Sequence, residues 1–234
     1  MFRFKQFTIH QERCAMKVGT DGVLLGAWAE GGKAILDIGT GTGLIACMMA
    51  QRFPDATVQA IEIDEAACQQ ARENVTASPF SDRIFITNTS LLEFVSELPQ
   101  HQQQYDCIVC NPPYFVNSMK APDSQRSIAR HTDTLPFSSL AKGVKALLQE
   151  DGIFSLIIPT ESVSLFISEA VTQNLFLFRR CDVKTVPHKA PKRTLLAFRK
   201  RFLQDDYSEC VETLQDASGN RSEWYSKLSY NFYL

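Results

Sequence analysis

The chain has 234 residues, a length that fits one domain with a substantial core and excludes a mini-protein that needs staples. Hydrophobic residues make up 44% and charged residues 21%, close to globular averages, which excludes a disordered or fibrous chain. Lys and Arg number 24 against 26 Asp and Glu, a net charge of −2 that, taken as a total, argues against a partner held mainly by phosphate charge.

In chain order, residues 2–7 (FRFKQF) alternate loosely, and residues 20–28 (TDGVLLGAW) predict a helix with Thr20 or Asp21 at its N-cap. Residues 33–39 (KAILDIG) predict a strand ending in glycines, followed by a helix over 44–52. Further strands are expected at 57–63, 83–88 and 105–111, with helices at 65–77 and 90–97. A helix over 137–149 should lead through Asp151 and Gly152 into a fifth strand at 153–158. This alternation is the pattern of right-handed βαβ crossovers in a parallel sheet, whose ligands sit at the carboxyl ends of the strands. After a helix at 161–173, residues 175–186 and 193–200 predict a hairpin that finishes the sheet, joined by a loop with Pro187 and Pro191. Residues 203–234 show weak periodicity and receive no role.

Seven cysteines, odd in number and scattered through apolar runs, together with the lack of a signal segment, lead us to expect a reduced, cytoplasmic protein. No apolar run reaches the ~20 residues of a membrane span. Cys107 and Cys110 have the spacing of a metal or redox pair. Within a strand, however, a separation of three puts them on opposite faces, and the four histidines fall at no ligand spacing, so no metal is expected.

The chemistry concentrates in two places. The first is the turn Asp37-Ile-Gly39-Thr-Gly41-Thr-Gly43, whose glycines allow a tight bend and a close approach of ligand to backbone. The dinucleotide fingerprint would need Gly or Ala where Leu44 stands, so the loop fits a dehydrogenase poorly. Glu62 ends the next strand 19 residues after Gly43, near the ~20 at which an acid meets ribose hydroxyls. Asp64 is the rival, with helix capping as its plainer role. The second place is Asn111-Pro112-Pro113-Tyr114, where two prolines fix the backbone at the end of the fourth strand and turn the preceding carbonyls into the site.

The D-x-G-x-G-x-G loop resembles the S-adenosylmethionine loop of Rossmann-like methyltransferases, and N-P-P-Y resembles the motif of those that methylate planar amino nitrogens. The resemblance implies an α/β fold with a mostly parallel seven-stranded sheet, helices on both faces and an antiparallel C-terminal hairpin. It narrows through Phe7-Thr-Ile-His-Gln11, residues 14–22 (CAMKVGTDG), residues 24–28 (LLGAW), Ala129-Arg130-His131 and residues 190–193 (APKR) to the tRNA(Val) adenine-N6 methyltransferases. Carried over, it implies that Lys17, Thr20 and Asp21 close over the cofactor and that Asp37, Gly39, Gly41, Gly43 and Glu62 hold it. Asn111, Pro112, Pro113 and Tyr114 then present the adenine. This class usually has an acid at the adenine end of the cofactor. Ser90 stands there instead, and it is counted with Asn111 among the expected cofactor contacts.

Charge along the chain supports an RNA partner. Residues 179–201 hold nine basic residues and one acid, whereas the rest of the chain holds 15 basic and 25 acidic. Arg130, His131, Lys189, Lys192 and Arg193, with Tyr114, are the expected RNA contacts, and Arg3, Lys5 and Arg126 are possible additions. Edge strands also carry Lys and Arg to prevent sheet pairing, which is the plainer reading of individual residues. The expected organisation is an N-terminal extension at 1–30, a core at 31–202 and a tail at 203–234. The expected partner is tRNA, without membrane or metal, and the chain is taken as a monomer by default. Glutamine-N5 methylation of a release factor, guanine-N2 methylation of rRNA and a non-catalytic cofactor-binding module remain as alternatives.

Overall fold

In the computed structural model, residues 1–97, 104–113, 135–203 and 206–234 are described. Two short strands, β1 (Phe2–Arg3) and β2 (Thr8–Ile9), pair only with each other and precede helix α1 (Thr20–Trp28). The chain then alternates through β3 (Ala34–Ile38), α2 (Leu44–Arg52), β4 (Thr57–Glu62), α3 (Glu65–Thr76), β5 (Ile84–Asn88), α4 (Leu91–Glu97) and β6 (Tyr105–Cys110). It continues with α5 (Phe137–Leu147), β7 (Leu148–Pro159), a 3-10 turn (Thr160–Ser162), α6 (Val163–Thr172), β8 (Phe176–Lys184), β9 (Arg193–Arg199), β10 (Ser208–Thr213) and α7 (Glu223–Ser229).

The main sheet has the order β10-β8-β9-β7-β6-β3-β4-β5. Strands β3 to β7 are parallel, and β9 pairs antiparallel with both β7 and β8, as the hairpin reading requires. The seven expected strands are present, and β10 adds an eighth by pairing parallel to β8 along its outer side. The central strands are buried on both faces and therefore read as near-continuous apolar runs. One face is covered by α1, α2, α3 and α7, the other by α4, α5 and α6.

Cys107 belongs to the first core cluster and Cys110 to the second, so the strand does put the two thiols on opposite faces. Among the described residues no group of His, Cys, Asp and Glu could hold a metal ion, and no helix is long and apolar enough to cross a membrane.

Two local expectations need correction. The N-cap of α1 is Gly19, with no side-chain capping bond, because Asp21 turns its carboxylate to another partner. Strand β7 begins at Leu148 rather than at 153: Glu150-Asp151-Gly152 reads locally as a turn, but Tyr105 pairs with Leu148 and the ladder resumes at Cys107 and Ile153 across an irregularity. Residues 206–234, given no role from the sequence, join the body of the protein. Besides β10, they supply α7, which packs on α1, while the Phe232 carbonyl accepts from the Lys5 amide at 2.8 Å.

Helices α1 and α2 approach closely because α1 presents Gly22 and Gly26 to its neighbour. A Cβ on Gly26 would lie 2.8 Å from Met48 Sδ, and one on Gly22 would lie 3.0 Å from Leu44. That contact fixes the first turn of α1, and with it Asp21, relative to the loop that leads into α2.

Candidate active site

Strand register assembles the site. Ile38 of β3 pairs with Ile61 of β4 on one side and with Cys110 of β6 on the other. The next residues, Glu62, Gly39 and Asn111, therefore stand abreast at the carboxyl ends of three adjacent strands. The chain runs from β3 outward to β4 and β5 and returns on the far side with β6, so this row lies at the switch point where open α/β sheets bind ligands.

The loop from β3 to α2 has three residues in the left-handed region: Gly39 at φ +70°, Gly41 at +55° and Gly43 at +80°. Only glycine accepts all three without strain. The loop is pinned to β4: the Gly39 and Thr40 amides donate to the Ile61 carbonyl at 2.9 and 3.0 Å, and the Gly41 amide donates to Glu62 Oε2 at 2.8 Å. A Cβ built on Gly39 or Gly41 meets nothing within 4 Å, so the outer side of the loop is open to a ligand that would contact bare backbone.

Beneath the loop, Asp37 is fully buried. Thr40 Oγ1 donates to its Oδ2 at 2.6 Å, while Oδ1 accepts no hydrogen bond. Burial pushes the carboxyl up to about 7, and the Thr40 donation and the Ala46 amide work against that rise. A buried acceptor without a donor favours a cationic ligand above it.

Glu62 is also buried. Its Oε1 accepts from the Asp64 amide at 3.0 Å and its Oε2 from Gly41, so backbone donors fix both oxygens and each keeps acceptor capacity for a hydroxyl. Asp64, the rival acid, caps α3 by accepting from the Ala67 amide at 2.7 Å. Between them Ile63 is 57% exposed, an apolar side chain beside the acid that the sequence reading did not single out. The loop, the unpaired Asp37 oxygen, the Glu62 acceptors and the Ile63 surface together suit S-adenosylmethionine, which carries an ammonium, a sulfonium, vicinal hydroxyls and a flat base. These residues would hold it.

Ser90 serves a helix. Its hydroxyl accepts from the Glu93 amide at 3.1 Å while its own amide donates to Glu93 Oε2 at 3.0 Å, a reciprocal capping box at the start of α4. This local role competes with its expected contact to the adenine end.

Asn111 follows β6 directly, with Pro112 buried and Pro113 half-buried after it. Tyr114, Arg126, Arg130 and His131 lie outside the described residues.

The N-terminal residues lie against the glycine loop and α3. Lys17 Nζ donates to the Gln11 carbonyl at 2.6 Å, and the Val18 amide donates to Gln11 Oε1 at 2.7 Å, so Gln11 closes a loop over residues 11–18. Thr20 is exposed at the start of α1.

The basic stretch divides. Arg199 pairs with Asp206, Lys200 donates to the Leu148 carbonyl, and Arg201 pairs with Glu150 and Asp151, all at the end of the sheet opposite the glycine loop. Arg179 lies over the Trp28 ring with Glu30 at 3.6 Å, and Arg180 pairs with Asp182. At the site end remain Lys184, which donates to the Pro187 carbonyl at 3.4 Å, Lys189 and Lys192, both exposed, and Arg193, which donates to Asp21 at 2.7 Å.

The family model described as the methyltransferase small domain matches residues 18–135. The chain is 47% identical over 236 residues to a Bacteroides thetaiotaomicron protein named tRNA1(Val) (adenine(37)-N6)-methyltransferase, spanning 100% of this chain and 97% of that protein. Proteins of the same name from Porphyromonas gingivalis and Pseudoalteromonas translucida are 48% and 44% identical, each across 100% of this chain and across 94% and 98% of their own length. Among solved structures, a predicted O-methyltransferase from Agrobacterium tumefaciens superposes with a TM-score of 0.72 at 18% identity, covering 91% of this chain and 96% of that one, and so shows the fold. Full-length relatives at this identity, matching a chain whose register lines up a glycine loop, an acid and Asn-Pro-Pro, settle the membership: the chain belongs to the tRNA1(Val) (adenine(37)-N6)-methyltransferase family.

Proposed function

We propose that the protein transfers the methyl group of S-adenosylmethionine to N6 of adenosine 37 in tRNA1(Val). The observation that carries this reading is the row of Glu62, Gly39 and Asn111 across three adjacent strand ends, in a chain whose full-length relatives bear that name. When bound, the cofactor supplies a methyl group on a sulfonium, which is already a good leaving group.

The protein's part is positioning. Adenine N6 is a weak nucleophile because its lone pair is delocalised into the ring. Accepting both of its N–H groups, by the Asn111 side-chain oxygen and the Pro112 carbonyl, turns the lone pair toward the methyl donor and stabilises charge developing on nitrogen. Proline rigidity keeps those two acceptors fixed. Tyr114 would stack on the base, contributing ~0.5–2 kcal/mol against the developing positive charge. No general base is required, since the protonated product amine loses its proton to water.

Lys17, Thr20 and Asp21 close the cofactor site from the N-terminal side. Lys189 and Lys192 on the loop between β8 and β9 meet the RNA backbone, and Arg130 and His131 add to that surface. An anticodon loop already displays unpaired bases, so turning one into the pocket costs less than flipping it from a duplex. A tRNA substrate implies action in the cytoplasm.

The test is to incubate the protein with unmodified total tRNA and isotope-labelled cofactor and to map methyl groups by mass spectrometry. N6-methyladenosine at position 37 of a valine tRNA is the expected product. Label appearing instead on guanine N2, or on a release-factor glutamine in a parallel incubation, would overturn the assignment.

A further inference from the structure

We propose that Asn74 is a positioning residue for the cofactor site: it ties the N-terminal segment to the glycine loop and so sets where residues 10–18 stand relative to that loop. Asn74 lies in α3, 1% exposed, and its side-chain amide makes three hydrogen bonds. Its Oδ1 accepts from the His10 amide at 2.9 Å, and its Nδ2 donates to the His10 carbonyl at 2.7 Å and to the Thr42 carbonyl at 2.8 Å. Thr42 stands between Gly41 and Gly43, so one buried side chain grips both the cofactor loop and the segment in front of it.

The segment's other directional ties lie upstream, at Lys5, whose amide donates to the Phe232 carbonyl at 2.8 Å and whose ammonium donates to the Tyr230 carbonyl at 2.5 Å. Strands β1 and β2 pair only with each other, so no backbone ladder joins them to the main sheet. Phe4, Phe7 and Ile9 bury apolar surface, which is non-directional and does not specify register. The Asn74 pair at His10 supplies the direction, and beyond it Gln11 closes residues 11–18 through Lys17 and Val18. Within that loop the Cys14 side chain is 4% exposed, so the loop packs inward against the body of the protein. The exposed ion pair of Arg13 with Glu73, the residue before Asn74, adds a weaker contact on the same edge.

A buried amide that only completed a turn would serve one segment. Here the two carbonyls it satisfies belong to separate irregular segments, 32 residues apart, whose mutual placement decides the width of the site. Losing the donations takes the partner from the Thr42 carbonyl in a buried setting, frees the His10 carbonyl, and lets the segment move from the loop. The inference rests on the reading that the glycine loop and Glu62 hold S-adenosylmethionine.

The test uses the full-length protein with S-adenosylmethionine in calorimetry, tRNA in a binding assay, and hydrogen exchange of the free protein. Asn74→Asp keeps size and the acceptor but loses both donations. Its expected effects are a cofactor Kd raised at least about tenfold, tRNA affinity within about twofold, and faster exchange at residues 10–18 while β3 and β4 stay protected. Gln11→Ala loosens the same loop without touching the buried amide and should reproduce the cofactor loss even if Asn74→Asp fails to fold. Cofactor affinity unchanged in Gln11→Ala, or in a folded Asn74→Asp, would overturn the role of Asn74 and leave the site reading intact. Failure of the wild-type protein to bind the cofactor would overturn the site reading and the proposal with it.

Discussion

Arg193, at the start of β9, donates from Nε to Oδ2 of Asp21 in the first turn of α1, at 2.7 Å across 172 residues of chain. The sequence reading assigned these two residues to different ligands, Asp21 to the cofactor and Arg193 to RNA. Their pairing joins the N-terminal side of the site to the loop that carries Lys189 and Lys192.

Arg193→Ala should therefore weaken cofactor binding as well as RNA binding. The side chains are 35% and 25% exposed, so the pair is worth about 1 kcal/mol or less, and the cofactor effect should be about fivefold or smaller. Calorimetry checks it against Lys192→Ala, which should leave cofactor affinity alone. Equal cofactor affinity in the Arg193 variant and wild type would mean that the ion pair carries nothing between the two ligands.

The division of the basic stretch gives a sharper test of RNA docking. Lys189 and Lys192 are exposed at the site end, whereas Arg201 is paired with Glu150 and Asp151 at the far end. Neutralising both lysines should lower RNA affinity and reduce the slope of log affinity against log salt by about 0.7–0.9 per lost phosphate contact. Arg201→Ala should change neither quantity. If Arg201 alters the slope as much as the lysines do, RNA binds across the whole hairpin, and charge arithmetic was a better guide than the ion pairs.

What the sequence displayed was what a single segment must satisfy alone. Positive φ at residues 39, 41 and 43 can be met cheaply only by glycine, so that demand is written in the residues themselves, as the rigid end of β6 is written in Pro112 and Pro113. The capping role of Asp64 was legible because capping is local. The features that were missed depend on distant backbone. Asn74 is a lone polar residue inside a helix, and two of its three bonds go to carbonyls, which have no residue signature. Strand β10 is mostly exposed and shows no alternation, so its place beside β8 comes from the sheet edge it joins. Net charge along residues 179–201 could not reveal that Glu30, Asp206, Glu150 and Asp151 neutralise much of it from elsewhere in the chain.

Asp37 should give cofactor binding a pH dependence. Burial raises its carboxyl from 3.8 to about 7, assisted by the Glu62 charge and opposed by Thr40 and Ala46. The native state thus holds this proton more tightly than the unfolded chain does. The group's contribution to stability is most favourable below the unfolded value and declines as pH rises toward 7. A cation bound on the outer side of the loop above Asp37 favours the ionised form, so binding should expel the proton and tighten by up to about tenfold per pH unit below 7, then level off. Asp37→Asn should abolish that dependence. Calorimetry in two buffers of different ionisation heat reads the proton directly, and affinity that is flat from pH 5.5 to 7.5 would separate Asp37 from the cofactor.

Asn111 should separate chemistry from binding. It stands beside Gly39 at the strand ends, and its proposed task is to accept an N–H of the target amine as positive charge develops there, an interaction stronger in the transition state than in the ground state. Asn111→Ala should lower methyl transfer by at least ~10²-fold, the scale of deleting one preorganised hydrogen-bonding group. Cofactor affinity should fall far less, since Glu62 and the glycine loop remain. Asn111→Asp keeps an acceptor and adds a negative charge facing the positive charge that develops on nitrogen, so it should retain far more methyl transfer than the alanine variant. Single-turnover rates with unmodified tRNA measure the chemical step alone. Near-normal rates for the alanine variant would show that the amine is oriented by backbone carbonyls and that Asn111 has no part in the transfer.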